Sequence, residues 1–404
     1  MLERLLGFFG SPRYRRPFWR ELHLWLGLGL GLPMAIFGIT GSILVFWQEI
    51  DAGLNPDLYE IQRTGESRAR NYELAIQQAV GKAPAGWESA WSSVPEEADT
   101  ALVLHFYYPQ EIAERVGVSS LNVFVNPYDG TLLGTRVFYH PTNPFKHCFI
   151  GFIFKLHYAL LSGEDGVTLV GAMAVLLFIG CLSGLILWWP LDGNWRRALT
   201  IKGSASGVRL NHDIHQASGL YFTPVLIAVI VSGIYFNLPD QFRWLVERFS
   251  PLTPEVRKSG IPERQILGIS VDTLLSQTTS AKSGAQLSSL SLNGTEWRVI
   301  TACYRNVPEL AGHFVPTRCH VLDRLSGDAL QIQDPQNATA GDVFIQWQWP
   351  LHSGQALGWT GRILVFICGL LCTVLFVTGL LRWNHRRLAR KLSAERHKAK
   401  SAAR

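Results

Sequence analysis

Apolar residues in this chain gather in four blocks of roughly twenty, the length an α-helix needs to cross the hydrocarbon core of a bilayer. The blocks fall near residues 24–47, 166–189, 218–238 and 359–382. Between the first and second blocks the pattern changes. A helical period over Tyr72–Val80 is followed by strand-like runs at Ala101–Tyr108, Leu121–Val125 and Leu132–Val137. Asn126-Pro127-Tyr128-Asp129-Gly130 joins the last two as a hairpin turn. The segment between the third and fourth blocks echoes this: Cys319-His320-Val321-Leu322, a turn over 323–327, then Asp328-Ala329-Leu330. The stretch 148–161 is apolar but too short to span before Ser162-Gly163-Glu164-Asp165-Gly166 interrupts it, so it reads as an interfacial or re-entrant helix.

The pattern occurs twice. Residues 156–189 match residues 351–384 at an offset of 195, with Leu156/Leu351, His157/His352, Gly163/Gly358, Gly166/Gly361, Leu169/Leu364, Gly184/Gly379 and Trp188/Trp383 coinciding without a gap. At an offset of 192, His23, Gly27, Leu28 and Gly41 match His215, Gly219, Leu220 and Gly233. The period is far longer than that of a solenoid repeat, which implies a duplicated span–domain–span unit. The expected fold is a membrane α-helical four-span bundle with two small α+β domains. Its parts are a basic lead (1–22), span 1 (23–50), the first domain (51–147), an interfacial helix with span 2 (148–190), a loop (191–213), span 3 (214–238), the second domain (239–346), a His-bearing segment with span 4 (347–383), and a basic tail (384–404).

Charge orients this arrangement. The net charge is +6, but of 37 Lys and Arg, five lie in residues 1–20, four in 191–214 and nine in 382–404. All three segments fall on one side of a four-span chain, so the positive-inside rule makes both termini and the middle loop cytoplasmic and both domains external. The basic tail is therefore a topology signal, not a nucleic-acid arm. The Arg15-Arg16-Pro17-Phe18 stretch is not read as a twin-arginine signal, because the long apolar run behind it lacks a small-residue cleavage site. Cys181, Cys368 and Cys372 lie within spans as small hydrophobes. Cys303 and Cys319 would pair only in an oxidising compartment.

Topology then sorts the histidines. His23 and His215 stand at the cytoplasmic entrances of spans 1 and 3, and His157 and His352 at the external entrances of spans 2 and 4. A two-fold axis along the membrane normal brings each opposite its repeat copy, giving two facing pairs. Zinc or copper asks for further ligands that these positions lack. Haem iron needs only two axial ligands, and two imidazoles close its coordination sphere in favour of one-electron transfer. Gly27 and Gly219, one turn after His23 and His215, leave room for a flat macrocycle or a close helix contact. A lone histidine at a helix entrance is more often an interfacial anchor; four in duplicated register favour ligation. His212 is the rival to His215 but stands out of register, and His105, His140, His147, His313, His320, His385 and His397 read as surface or loop residues. Arg20, Lys155 and Arg362 are positioned to meet haem propionates or lipid phosphate. Trp347, Trp349 and Trp359 near His352 are either a chelate pocket or, preferentially, an interfacial aromatic belt. No Cys-x-x-Cys-His is present, so any haem is b-type. The glycines of GLGLGLP at 27–33 lie inside a span and make no dinucleotide fingerprint.

The entrance motifs LHLWLG, LHYALLSG, IHQASG and LHSGQALG, with the hairpins FVNPYDGTLLG and VLDRLSGDAL, make the chain resemble the PepSY-associated transmembrane family over essentially its full length. The second hairpin has Arg324-Leu325 where the first has Pro127-Tyr128, and is the more diverged copy. The resemblance implies a bacterial inner-membrane di-haem ferric-siderophore reductase with periplasmic PepSY domains and His23, His157, His215 and His352 as haem ligands. The expected function is an oxidoreductase with two haem b groups, with no catalytic residue beyond the haem ligands. It would take electrons from a quinol or a cytoplasmic reductase and release iron from a ferric siderophore or other ferric chelate. The rival readings are a membrane-anchored binding or regulatory module without redox activity, and a haem conduit to another periplasmic acceptor.

Overall fold

The computed structural model describes residues 12–61, 69–109, 111–112, 120–140, 145, 147–190, 193, 195–203, 206–254, 268–293, 297–311 and 317–402. In chain order the elements used below are α1 (Pro12–Leu44), α2 (Tyr72–Val80), β1 (Ser89–Ser93), β2 (Leu102–Tyr107), β3 (Ser120–Val125), β4 (Leu132–Val137), α3 (Phe149–Ala159), α4 (Gly163–Trp188), α5 (Gly207–Asn237), α6 (Val271–Gln277), β5 (Gln286–Asn293), β6 (Val299–Arg305), β7 (Arg318–Asp323), β8 (Ala329–Gln333), α7 (Gln348–Ser353) and α8 (Gly358–Ala402). They form two compact units: Met1–Val45 with Leu156–Phe242 and Gln348–Arg404, and Phe46–Lys155 with Arg243–Trp347.

In the first unit, α1, α4, α5 and α8 are each long and apolar enough to cross a membrane. They close a ring: α1 packs on α4 and α8, and α5 packs on the same two. So α1 and α5 face each other diagonally, as do α4 and α8. The patterning is that of a bundle in lipid. Leu32, Ile39, Leu169, Leu182, Leu370 and Val377 are exposed, while Thr40, Ser42, Ser183, Thr223, Ser232 and Thr378 are buried. Where α1 meets α8, Gly38 and Gly369 bring the two backbones together, and Ser42 donates to Phe366 O at 2.8 Å. The entrances to α4 and α8 share one turn. Gly163 (φ +60°) and Gly358 (φ +56°) adopt the left-handed backbone that favours glycine, and Gly166 and Gly361 lie under the carbonyls of Ala159 and Gly354.

The second unit differs from expectation. The sequence predicts two separate small domains; the structure pairs them in one eight-stranded sheet, ordered β4-β3-β2-β1-β5-β6-β7-β8. Each half is an antiparallel four-stranded meander, and the two first strands join antiparallel from Ser89↔Asn293 to Ser93↔Ser289. The physical reason is the edge: a lone meander would leave β1 or β5 with unpaired backbone groups, and here each satisfies the other. Helices α2 and α6 supply Ala75, Ile76, Val271 and Leu274 to one apolar core shared with Phe106, Val123, Leu292 and Ile300. Their N-termini exchange caps. Asp272 accepts from Tyr72 N at 3.0 Å and Glu73 N at 2.9 Å, while Glu73 accepts from Val271 N at 2.8 Å. Glu73 also pairs with Arg324, whose guanidinium lies 3.8 Å from the centre of the Trp297 ring. Arg324, where the other hairpin has Pro127, thus ties the two halves together.

Two histidines correct the sequence reading. His105 and His320, taken there as surface or loop residues, are only 7% and 2% exposed. His105 faces its strand partner Asn122, with Nδ1 2.9 Å from Oδ1, and His320 Nε2 lies 2.8 Å from Ser280 Oγ. His140, His147, His385 and His397 are exposed as expected, and His313 lies outside the described residues. Nearby, Asp51 and Arg136 form a buried ion pair that Tyr59 joins by donating to Asp51 at 2.6 Å. Cys303 and Cys319, directly opposite on β6 and β7, form a disulfide.

Candidate functional site

The four histidines singled out by their repeat register all belong to the bundle unit, and they meet in the expected pairs. His23 on α1 faces His215 on α5 with ring centroids 6.4 Å apart, and His157 on α3 faces His352 on α7 at 6.0 Å. The pairs lie at opposite ends of the bundle. Along α1, His23 and the residue that touches His157, Thr40, are 17 positions apart, about 25 Å at the rise of a helix.

Each ring is held on two sides by one dipeptide of a neighbouring helix. Nδ1 of His23 lies 3.0 Å from Ser183 Oγ, that of His157 2.9 Å from Thr40 Oγ1, that of His215 2.8 Å from Thr378 Oγ1, and that of His352 2.9 Å from Ser232 Oγ. The residue after each hydroxyl is a glycine, and the ring lies against it. A methyl group at Gly184 or Gly41 would stand 3.1 Å from Cε1 of His23 or His157; at Gly379 and Gly233 the distances to His215 and His352 are 3.4 and 3.5 Å. In both halves the service is reciprocal. The first span holds the histidine of the second and the second holds that of the first, while each histidine faces its counterpart in the other half. The hydroxyls escaped the sequence reading, although Gly41/Gly233 and Gly184/Gly379 marked positions one residue away.

A cavity of about 1240 Å³ opens around the His23/His215 pair. Gly27 and Gly219 line it, as the spacing suggested, and Arg20, Arg382 and Arg386 stand on its wall. Arg20 also meets Glu21 at 3.2 Å. His212 reaches the same cavity, but its Nδ1 sits 3.4 Å from Asp213, and it is His215 that faces His23. At the other pair, Phe37 and Phe236 pack edge-on against His157 and His352. Arg362 donates to Val45 O at 2.9 Å and stacks on Trp359, and Lys155 precedes His157 by two residues on α3. Trp349 packs edge-on against Phe236, and Trp359 is largely exposed, as an aromatic belt residue would be. Among the described residues no three of His, Cys, Asp and Glu converge to hold a metal ion.

A family model described as the PepSY-associated TM region matches residues 20–386, a stretch that includes all four histidines and all eight strands. No curated protein matches the chain.

Proposed function

The chain belongs to the PepSY-associated TM region family, and from that premise we propose that it is a di-haem b oxidoreductase of the bacterial inner membrane that delivers single electrons to a ferric chelate outside the cell membrane. The observation that carries the proposal is the two facing imidazole pairs at 6.4 and 6.0 Å. With metal–nitrogen bonds of about 2 Å, separations of this size suit one iron held by a nitrogen of each ring. His23 with His215 and His157 with His352 would each hold the iron of one haem, which when bound would supply a one-electron couple. Arg20, Arg382 and Arg386 on the wall of the first cavity suit the two propionates. Gly41, Gly184, Gly233 and Gly379 give the rings their space.

Orientation rests on the positive-inside distribution and on the Cys303–Cys319 disulfide, which suits an oxidising periplasm for the sheet. His23 and His215 then face the electron donor, a quinol or a cytoplasmic reductase, and His157 and His352 face the acceptor. A siderophore is the fitting acceptor because its hard oxygen ligands hold Fe³⁺ far better than Fe²⁺, so one electron frees the metal. Purified protein in detergent should carry two b-type haems per chain in a haemochrome assay. A colourless protein would sink the proposal and leave a membrane-anchored binding module.

A further inference from the structure

We propose that the hydroxyls of Thr40, Ser183, Ser232 and Thr378 set the tautomer of the four histidines, holding the proton on Nδ1 so that Nε2 presents its lone pair toward the partner ring. The inference rests on reading these imidazoles as ligands, and it assigns positioning residues that the repeat alone does not reveal.

A neutral imidazole carries its proton on either nitrogen, and only the bare one can bind a metal. A hydroxyl has one proton to give. In all four cases that proton goes to a backbone carbonyl of its own helix. Thr40 donates to Ile36 O at 2.7 Å, Ser183 to Gly180 O at 2.7 Å, Ser232 to Ala228 O at 2.7 Å and Thr378 to Val374 O at 2.6 Å. What remains for the histidine is a lone pair, which can only accept, so Nδ1 must be the donor. Two positions carry an independent check. Nδ1 of His23 lies 3.1 Å from Gly180 O and Nδ1 of His352 lies 3.1 Å from Val229 O, and a carbonyl never donates.

Serine and threonine commonly back-bond in membrane helices, and taken singly none of these contacts would mean more than that. Here each of the four meets a histidine Nδ1 and each precedes the glycine on which that ring lies. Thr40 and Ser232 are 192 positions apart and Ser183 and Thr378 are 195 apart, the offsets of the spans they stand on, so each hydroxyl recurs in register with the histidine at the entrance of its own span. Donation from Nδ1–H also makes Nε2 more basic, which favours the ferric state of a bound iron.

The test uses full-length protein in detergent, with redox titration followed in the visible haem bands and haem loss to an excess of apomyoglobin. Thr378→Val should move the midpoint potential of the His23/His215 haem in the positive direction and weaken its retention about 10–100-fold. The other haem in the same molecule should keep its parental behaviour. Ser232→Ala should do the converse, and Thr378→Ser and Ser232→Thr should restore the parent. Substitutions that leave both potentials and both retentions unchanged would overturn the inference. Should the parent hold no haem, the preceding proposal fails, and ¹⁵N shifts of histidine-labelled haem-free protein decide this one. Four Nδ1-protonated rings uphold it; Nε2-protonated rings overturn it. The same measurement decides the matter if a substituted chain does not fold.

Discussion

At the scale of single residues, environment matters more than residue type. His105 and His157 are both imidazoles beside a polar side chain, yet one belongs to a sheet core and the other to a facing pair. For His105 burial dominates and pushes its pKa down to about 4, against the opposing hydrogen bond it donates to Asn122 Oδ1. Its folded pKa thus lies below the unfolded value near 6.5, and the unfolded chain binds the proton first. The stability it contributes is full above pH 6.5 and is lost as pH falls toward 4, in total roughly 3 kcal/mol. Amide exchange of β2 and β3 should quicken over that window in the parent, and the slope should flatten in His105→Gln; an equal slope in both would refute the assignment. The four paired histidines were legible in the sequence because they recur at the repeat offsets. Their hydroxyl partners were not, since a serine or threonine in an apolar run carries no sign of what its second lone pair meets.

At the scale of elements, legibility followed the strength of the local signal. Helix Tyr72–Val80 and strand Leu132–Val137 have the bounds read from the sequence, because a clear period and a five-residue turn define them. Strands β1 and β5 went unseen. Ser-Ala-Trp-Ser-Ser and Gln-Leu-Ser-Ser-Leu-Ser-Leu-Asn carry serine at so many positions that their apolar alternation is weak. What completes them is each other's edge, which lies some 200 residues away in the chain. The caps exchanged by α2 and α6 have the same long-range character. Asp272→Ala removes acceptors from two amides of α2 and should cost about 1–2 kcal/mol in unfolding experiments, with Asp272→Asn recovering part of the loss. A cost no larger than that of an exposed aspartate would show that the exchange contributes nothing.

For the molecule as a whole, four spans could be read from apolar length, whereas the merging of two expected domains into one sheet could not. The proposed orientation makes a direct prediction: a periplasm-active reporter fused after Thr200 should be silent, while fusions after Thr100 or Ser283 should report. A signal at Thr200 would invert the assignment and exchange the donor and acceptor faces. The reciprocal arrangement of the histidines carries a last consequence. Within a half, each span steadies the other's imidazole, yet every facing pair draws one ring from each half. Likewise the sheet closes where two corresponding strands, β1 and β5, run antiparallel against each other. A polypeptide with only one span–domain–span unit would keep its rings well held but own just one ring of each facing pair, and its first strand would have a bare edge. Two such polypeptides would have to come together to mend either deficit. Seen this way, the 404-residue chain carries in one covalent piece what two shorter chains would have to assemble.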